Sequence, residues 1–321
     1  MAEAVRYRWK LLRAGEFRLD GGSMFGLVPR VVWGKSTPTD ERGRITVQHN
    51  CLLLERVDEP SAHWKRRAPK LVVLETGSGD KMDPKSRDIF ALEQRSIVEA
   101  LHEVSCRPED VGLVTATHLH FDHAGGLTRL VRAGESADWT DAASGLAVKR
   151  TFSNARVVVQ AREWSDALAN RSVMTRTYFR DHLEPIREQI EIVESPAPFA
   201  RGLIPDRDQL PATSATVRMS EIAPGLEVFL VPGHTWGQQA MTFVDEKGER
   251  IVFTPDVLPT RAHLGAAFSL AYDVEPYTSM VSKRWFLTEA AERGWTLVLD
   301  HEPGACVVKV RRKNEWFELV G

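Results

Sequence analysis

Short apolar runs bounded by glycine, proline or charged residues punctuate this chain, separated by stretches whose apolar residues recur three or four positions apart. The runs at 45–54, 70–75, 111–116, 157–159, 226–231, 240–244, 250–256 and 295–301 predict strands, because apolar runs of strand length rich in β-branched residues fit a covered sheet. Residues 5–17 alternate apolar and charged positions, which predicts a strand at a sheet edge. The spacing of Ile89, Leu92, Ile97, Ala100 and Leu101 predicts a helix over 86–103. Further helices are predicted over 162–170, 171–190 and 279–293, the second with Met174, Tyr178, Phe179 and Leu183 as a core-facing stripe. Gly21, Gly22 and Gly26 lie among apolar neighbours at 19–29, predicting an ordered loop held by packing. Residues 131–151, polar around Trp139, predict a surface insertion able to overhang a site, and 194–216, with Pro196, Pro198, Pro205 and Pro211, a long loop. The layout gives two halves of strands followed by helices.

Four strand ends carry the candidate chemistry. The run 111–116 leads into His118-Leu119-His120-Phe121-Asp122-His123, three imidazoles and a carboxylate within six residues. Residues i and i+2 of an extended segment point the same way, so His118 and His120 can converge on one ion. The turn that follows sends Asp122 and His123 towards a second. Residues 124–127, with Gly125 and Gly126, predict a tight turn opening a helix. His234 follows the run 226–231 just after Gly233, which permits a sharp turn, while Asp256 and His301 close runs of their own. Loops at one edge of two stacked sheets would bring all seven side chains together. His49, His63, His102 and His182 have no second ligand nearby in sequence and are read as structural.

The pattern His-x-His-x-Asp-His, with Gly-His-Thr at 233–235 and Asp256 and His301 following in order, resembles the metallo-β-lactamase superfamily from about residue 20 to about residue 303. The stretch Asp20-Gly21-Gly22-Ser23-Met24-Phe25-Gly26 is similar to one in the branch holding the methyl parathion hydrolases and relatives of the N-acyl homoserine lactone lactonases. The resemblance implies an α+β fold, a four-layer αββα sandwich, as one domain over 1–321 with residues 1–35 as an N-terminal extension packed on it. It further implies two divalent metal ions, zinc foremost, with iron, manganese or cobalt also fitting such donors. His118, His120 and His234 would hold one, Asp122, His123 and His301 the second, and Asp256 would bridge. The implied activity is hydrolysis of a small neutral ester, lactone or phosphotriester by a hydroxide held between the metals, with Asp122 as proton carrier. The alternatives are an iron-dependent oxidoreductase of sulfur dioxygenase type, or a β-lactamase. The chain departs from the family twice. Glu75 stands where an Asp usually supports the metal loop, and Pro259 stands where several lactonases carry a tyrosine that stabilises the substrate carbonyl. Arg261, His263 and Tyr272 are the nearest substitutes in sequence, and Phe121 inside the metal loop is a further candidate for substrate contact.

Composition narrows the partners. Of 321 residues, 42 are basic and 44 acidic, a net charge of −2 that gives no electrostatic reason to expect nucleic acid or an anionic membrane. No apolar run approaches the roughly 20 residues of a membrane span, and the first ten residues lack a signal-peptide core, so cytoplasm is expected. The three cysteines Cys51, Cys106 and Cys306 are too scattered for a disulfide framework. The apolar residues Met24, Phe25, Val31, Val32 and Trp33 suggest either a cap over the sheet or a surface for pairing as a homodimer.

Overall fold

The computed structural model describes residues 5–64, 67–174, 176–199 and 217–321. Among the described residues, thirteen strands share one hydrogen-bonded sheet. In chain order they are β1 (Arg6–Asp20), β2 (Arg44–Arg56), β3 (Leu71–Leu74), β4 (Leu113–Thr115), β5 (Arg156–Gln160), β6 (Ile190–Val193), β7 (Ser220–Ala223), β8 (Leu226–Leu230), β9 (Gln239–Asp245), β10 (Arg250–Phe253), β11 (Thr296–Val298), β12 (Val307–Lys313) and β13 (Trp316–Val320). The order is β13-β12-β11-β10-β9-β1-β2-β3-β4-β5-β6, with β8 also pairing β9 and β7 pairing β8. The β1–β9 join is short, with only Arg6 opposite Val244 and Tyr7 opposite Asp245, so the sheet divides there into two halves.

Side-chain alternation shows how the halves stack. Leu52, Leu54, Val72, Leu74 and Leu113 share a core cluster with Val228, Met241, Phe243 and Val252 of the other half. Their sequence neighbours Leu53, Val73 and Val114 instead meet Ile97, Val98 and Leu101 of helix Ile97–Glu103. On the second half, helix Pro276–Arg293 lays Phe286 against Phe229 and Trp295. The result is the expected αββα layering, in which the C-terminal ends of β4, β10 and β11 reach one edge.

Several local expectations are corrected. Residues 5–17, expected as a strand at a sheet edge, lie in β1, which pairs with β2 along most of its length and meets β9 only at Arg6 and Tyr7, so it borders its half of the sheet as expected but belongs to the sheet itself rather than to an extension packed on it. The helix expected over 86–103 is two, Pro84–Phe90 and Ile97–Glu103. Ala91 ends the first in a left-handed conformation, and Ser96 and Glu99 start the second with a reciprocal capping box. The helix expected over 171–190 is a single turn at Arg180–Leu183, a 3-10 segment Glu184–Gln189 begun by Pro185, and then β6. Residues 128–150 form a small sheet of Thr128–Leu130, Ala147–Arg150 and Trp139–Thr140, bordering a cavity beside the site rather than overhanging it. The hairpin of β12 and β13 had no counterpart in the sequence reading. From residue 200 to 216 the expected loop lies outside the described residues.

Met24, Phe25 and Trp33 are buried against Phe17, Leu19, Ile45 and Val47, capping their own sheet, while Leu27, Val31 and Val32 remain exposed. All three cysteines are buried free thiols. Among the described residues no helix is long and apolar enough to cross a membrane.

Lys283, on helix Pro276–Arg293, is 2 % exposed and donates to the carbonyls of His263 at 3.0 Å and Phe268 at 2.6 Å, fixing a loop beside the site. Burial, partly opposed by Asp273, brings its pKa down to about 8. An unfolded lysine titrates near 10.4, so between about 8 and 10.4 the unfolded chain holds a proton that the folded chain has released. Stability therefore rises with pH across that window and is lost as pH falls through about 8, the full swing being about 3 kcal/mol. Lys283→Met should lack this rise in urea unfolding at pH 7.5 and 9.5. Parallel pH dependence in the two proteins would reject the assignment.

Candidate metal centre

The metal loop leaves β4 at Thr115, passes through His118 and His120 without regular structure, and closes in a single helical turn, Phe121–Ala124. The expected turn and helix thus arrive earlier than predicted, with Asp122 and His123 inside the helical turn itself. Two glycines make the packing possible. A Cβ on Gly125 would lie 2.2 Å from the Ser78 carbonyl oxygen, and one on Gly233, at φ 137°, would lie 2.5 Å from the Ser279 nitrogen. Larger residues would push apart the turns that carry His123 and His234.

All seven predicted donors meet. His120 Nδ1 and His234 Nε2 are 3.1 Å apart, and His123 Nε2 and His301 Nε2 are 3.2 Å apart. Asp256 lies between the pairs, its Oδ2 at 3.1 Å from His234 Nε2 and its Oδ1 at 3.4 Å from His301 Nε2. His118 Nε2 stands 4.0 Å from Asp256, and Asp122 is 3.7 Å from His301 and 3.8 Å from His123. Four ligands placed about 2.0–2.1 Å from a tetrahedral ion lie roughly 3.3 Å from one another, which the tighter of these separations match. His118 Nε2, His120 Nε2 and Asp256 Oδ1 are buried without any hydrogen-bond partner. Buried polar atoms seldom stay unpaired, so the residues fit a pair of cations. Among the described residues the donors fall into two groups, His118 with His120 and His234, and His123 with Asp256, Asp300 and His301.

A ring of contacts holds the donors. Asp273 binds His234 Nδ1 at 2.9 Å, the Gln48 carbonyl accepts from His301 Nδ1 at 3.1 Å, and Thr117 Oγ1 reaches His118 Nδ1 at 3.0 Å. Such partners fix the ring orientation of a metal-binding histidine. Glu75 supports the loop as the usual Asp would, accepting from the Thr117 nitrogen at 2.6 Å and lying 3.4 Å from His123 Nδ1. It adopts a left-handed backbone, φ 66°, held by a hydrogen bond from its nitrogen to the Thr115 carbonyl. Glu163 accepts from the Leu119 nitrogen at 2.9 Å, Tyr178 Oη at 3.0 Å and Thr235 Oγ1 at 2.6 Å, joining both histidine loops.

Protonation follows from these surroundings. Burial, reinforced by the neighbouring imidazoles, holds His118 and His120 well below the ordinary histidine range, so both are neutral as ligands must be. Burial works the same way on His123, but Glu75 and Asp122 outweigh it and lift its pKa to about 10. Ligation by His123 therefore displaces a proton. Burial first, and Asp256 second, hold the Asp300 carboxyl well above the ordinary range.

The centre floors a cavity walled by Leu19, Met24, Phe90, Phe121, Met174 and Tyr272, with Arg176 also on its lining. Phe121 and Tyr272 line this cavity. Arg261 and His263 do not. Arg261 binds the carbonyls of Ala305 and Gly321, and both nitrogens of the fully buried His263 are taken, by Thr260 Oγ1 at 2.7 Å and the Met24 carbonyl at 2.8 Å. His49 is buried beside His301, 6.3 Å between ring centroids, with both nitrogens engaged by the Gly15 carbonyl and Ser78 Oγ; His182 is buried outside the donor groups, while His63 and His102 are exposed. Met174, expected in the core, is 47 % exposed and faces the cavity, because the segment carrying it is not helical. Asp273, Glu163 and the apolar walls escaped the sequence reading, since each is far in sequence from the residues it serves. Asp300 had a local signal, a second donor type directly before His301.

The sequence matches the model of the metallo-beta-lactamase superfamily over residues 70–301. The chain belongs to this superfamily. Relatives within reach of sequence comparison include N-acyl homoserine lactonases of Bacillus cereus, 25% identical over 169 residues, and of Bacillus thuringiensis, 24% identical over the same length. Each match covers 53% of this chain and 47% of the relative, so the chain spans about half the length of the curated relatives it matches. Among solved structures, a probable metal-dependent hydrolase from Staphylococcus aureus superposes with TM-score 0.72 at 23% identity, covering 99% of this chain and 98% of that one. AidC, a dizinc quorum-quenching lactonase in complex with the product N-hexanoyl-L-homoserine, superposes with TM-score 0.66 at 15% identity and the same coverage. These likenesses establish a shared metallo-beta-lactamase fold.

Proposed function

We propose that this metallo-beta-lactamase superfamily member is a dinuclear metal-dependent hydrolase of small neutral esters, lactones or phosphotriesters, with lactones bearing an apolar acyl chain foremost. The observation that carries the reading is the convergence of five imidazoles and Asp256, with Asp122 beside them, where His120, Asp122, His234, Asp256 and His301 line a largely apolar cavity. The lactonases among its relatives support the substrate class. His118, His120 and His234 would hold one cation and Asp122, His123 and His301 the other, with Asp256 between them. Imidazole and carboxylate donors without thiolate suit zinc, and iron, manganese or cobalt accept the same set. When bound, two such cations supply hydroxide at neutral pH and polarise the substrate's oxygen.

The protein's own groups do the rest. Leu19, Met24, Phe90 and Met174 seat the acyl chain and exclude water around it. Asp122, on the cavity wall, takes the proton of the attacking water and delivers it to the leaving group. Tyr272 replaces the tyrosine missing at Pro259. Burial, opposed by a hydrogen bond with Ser23, pushes its pKa up to about 12, so at neutral pH it keeps the proton that it donates to the substrate carbonyl. Tyr272→Phe should lower kcat/KM for lactones by about 10²-fold, as loss of one such donor commonly does. An unchanged kcat/KM would remove Tyr272 from the mechanism.

The reading as a whole is tested by metal analysis of the purified protein, coupled to a panel of lactones, aryl esters, phosphotriesters and β-lactams. Lactone turnover abolished by chelation and restored by zinc is the expected result. Faster turnover of β-lactams than of lactones would overturn it. The exposed Leu27, Val31 and Val32 support pairing of two copies. A single-chain mass in sedimentation at micromolar concentration would reject that pairing.

A further inference from the structure

We propose that Asp300 is an additional ligand of the second cation, approaching it from the buried side, and that this makes the second position an oxygen-rich one suited to a hard divalent cation such as manganese. The inference rests on the dinuclear reading and deepens it. Asp300 is 1 % exposed, and no protein group donates a hydrogen bond to either of its side-chain oxygens. Its nearest acidic neighbour is Asp256, so the two buried acids need either a shared proton or a cation between them.

The two strongest donors near Asp300 are engaged elsewhere. It lines a closed inner pocket with His49, Asn50, Cys51, Glu75, His123 and His301. The Asn50 amide nitrogen is committed to the carbonyls of Leu299 and Glu302, both at 2.8 Å. Both His49 nitrogens are committed too, to the Gly15 carbonyl and Ser78 Oγ at 2.9 Å. Glu75 brings a second carboxylate, whose Oε2 is likewise without a hydrogen bond. The Asp300 main chain is fixed by a 2.9 Å hydrogen bond from the Asn50 nitrogen to its carbonyl, so the side chain cannot move out to solvent with its strand. What Asp300 does have is a place among His123, Asp256 and His301, with one donor atom from each of the four within 4.8 Å of the others.

Asp122 lines the substrate cavity as well as the inner pocket, whereas Asp300 lines the inner pocket alone. The two carboxylates therefore flank the second position from opposite sides. That position gathers Asp122, Asp256 and Asp300 with two imidazoles, against three imidazoles and Asp256 at the first. Carboxylate oxygen suits manganese, while imidazole suits zinc.

The test uses the full chain, stripped of metal, reloaded with one equivalent of zinc and titrated with Mn2+ alone. Electron paramagnetic resonance reads bound manganese, and elemental analysis reads zinc. The wild type should take one manganese per chain. Asp300→Asn, which keeps the shape and loses the charge, should retain the zinc yet bind manganese at least about ten-fold more weakly, the lower end of the loss seen when even outer partners of a metal ligand are removed. Asp300→Ser serves if the amide variant does not fold. Equal manganese affinity in variant and wild type would overturn the role of Asp300 and leave the dinuclear reading standing. A wild type that binds neither manganese nor a second zinc would overturn both.

Discussion

Asp122→Asn loses about 10²–10⁴-fold in turnover with both metal positions filled, the range that proton transfer by a positioned side chain contributes. The carboxylate lines the cavity within 4 Å of His123 and His301, close to where the attacking water must stand. Asparagine keeps the shape but cannot take up a proton. The three histidines proposed for the first position, and Asp273 that fixes His234, are untouched by the substitution, so its cation should stay in place. Weaker binding at the second position would mimic a chemical defect, and the rate is therefore measured in excess zinc or manganese beside the metal content. Turnover near that of the wild type at full occupancy would show that Asp122 only holds its neighbours, and another group would have to carry the proton.

Glu163→Ala is expected to lower stability by about 3–9 kcal/mol, because three buried donors lose their acceptor at roughly 1–3 kcal/mol each. Those donors are the Leu119 nitrogen, Tyr178 Oη and Thr235 Oγ1. Leu119 sits between His118 and His120, and Thr235 follows His234, so the same truncation loosens all three donors of the first position. Affinity for the first zinc should fall about 10–100-fold, the usual consequence of removing a group that orients ligands. Glu163→Gln should be much milder. Its oxygen can still accept from Leu119 and Tyr178, and its amide can donate to the Thr235 hydroxyl, which is free to act as acceptor. Urea unfolding and zinc competition read the two effects separately. A loss below about 1 kcal/mol with unchanged zinc affinity would show that the loops are held by packing alone.

The helix breaks show where periodicity misled. The apolar positions between 86 and 103 keep helical spacing, yet Asp83 and Ser96 each cap a separate helix and Ala91 turns left-handed between them. A side chain that satisfies helix-end N–H groups can outweigh the weak preference that spacing expresses.

The seven donors were legible because ligand chemistry restricts residue type and because strand ends are marked by local sequence. His118 to His123, His234, Asp256 and His301 each follow an apolar run, and stacking the sheets then brings the run ends to one edge. What surrounds the donors was decided only by the tertiary structure. Thr260 and the Met24 carbonyl claimed His263, Arg261 turned towards the C-terminus, and Tyr272 alone among the three substitutes reached the cavity. Glu163 and Asp273 gained their partners from residues tens of positions away. The physical reason is the same in each case. The sequence states what a side chain can do, whereas burial and the competition among its spatial neighbours for each donor and acceptor decide what it does.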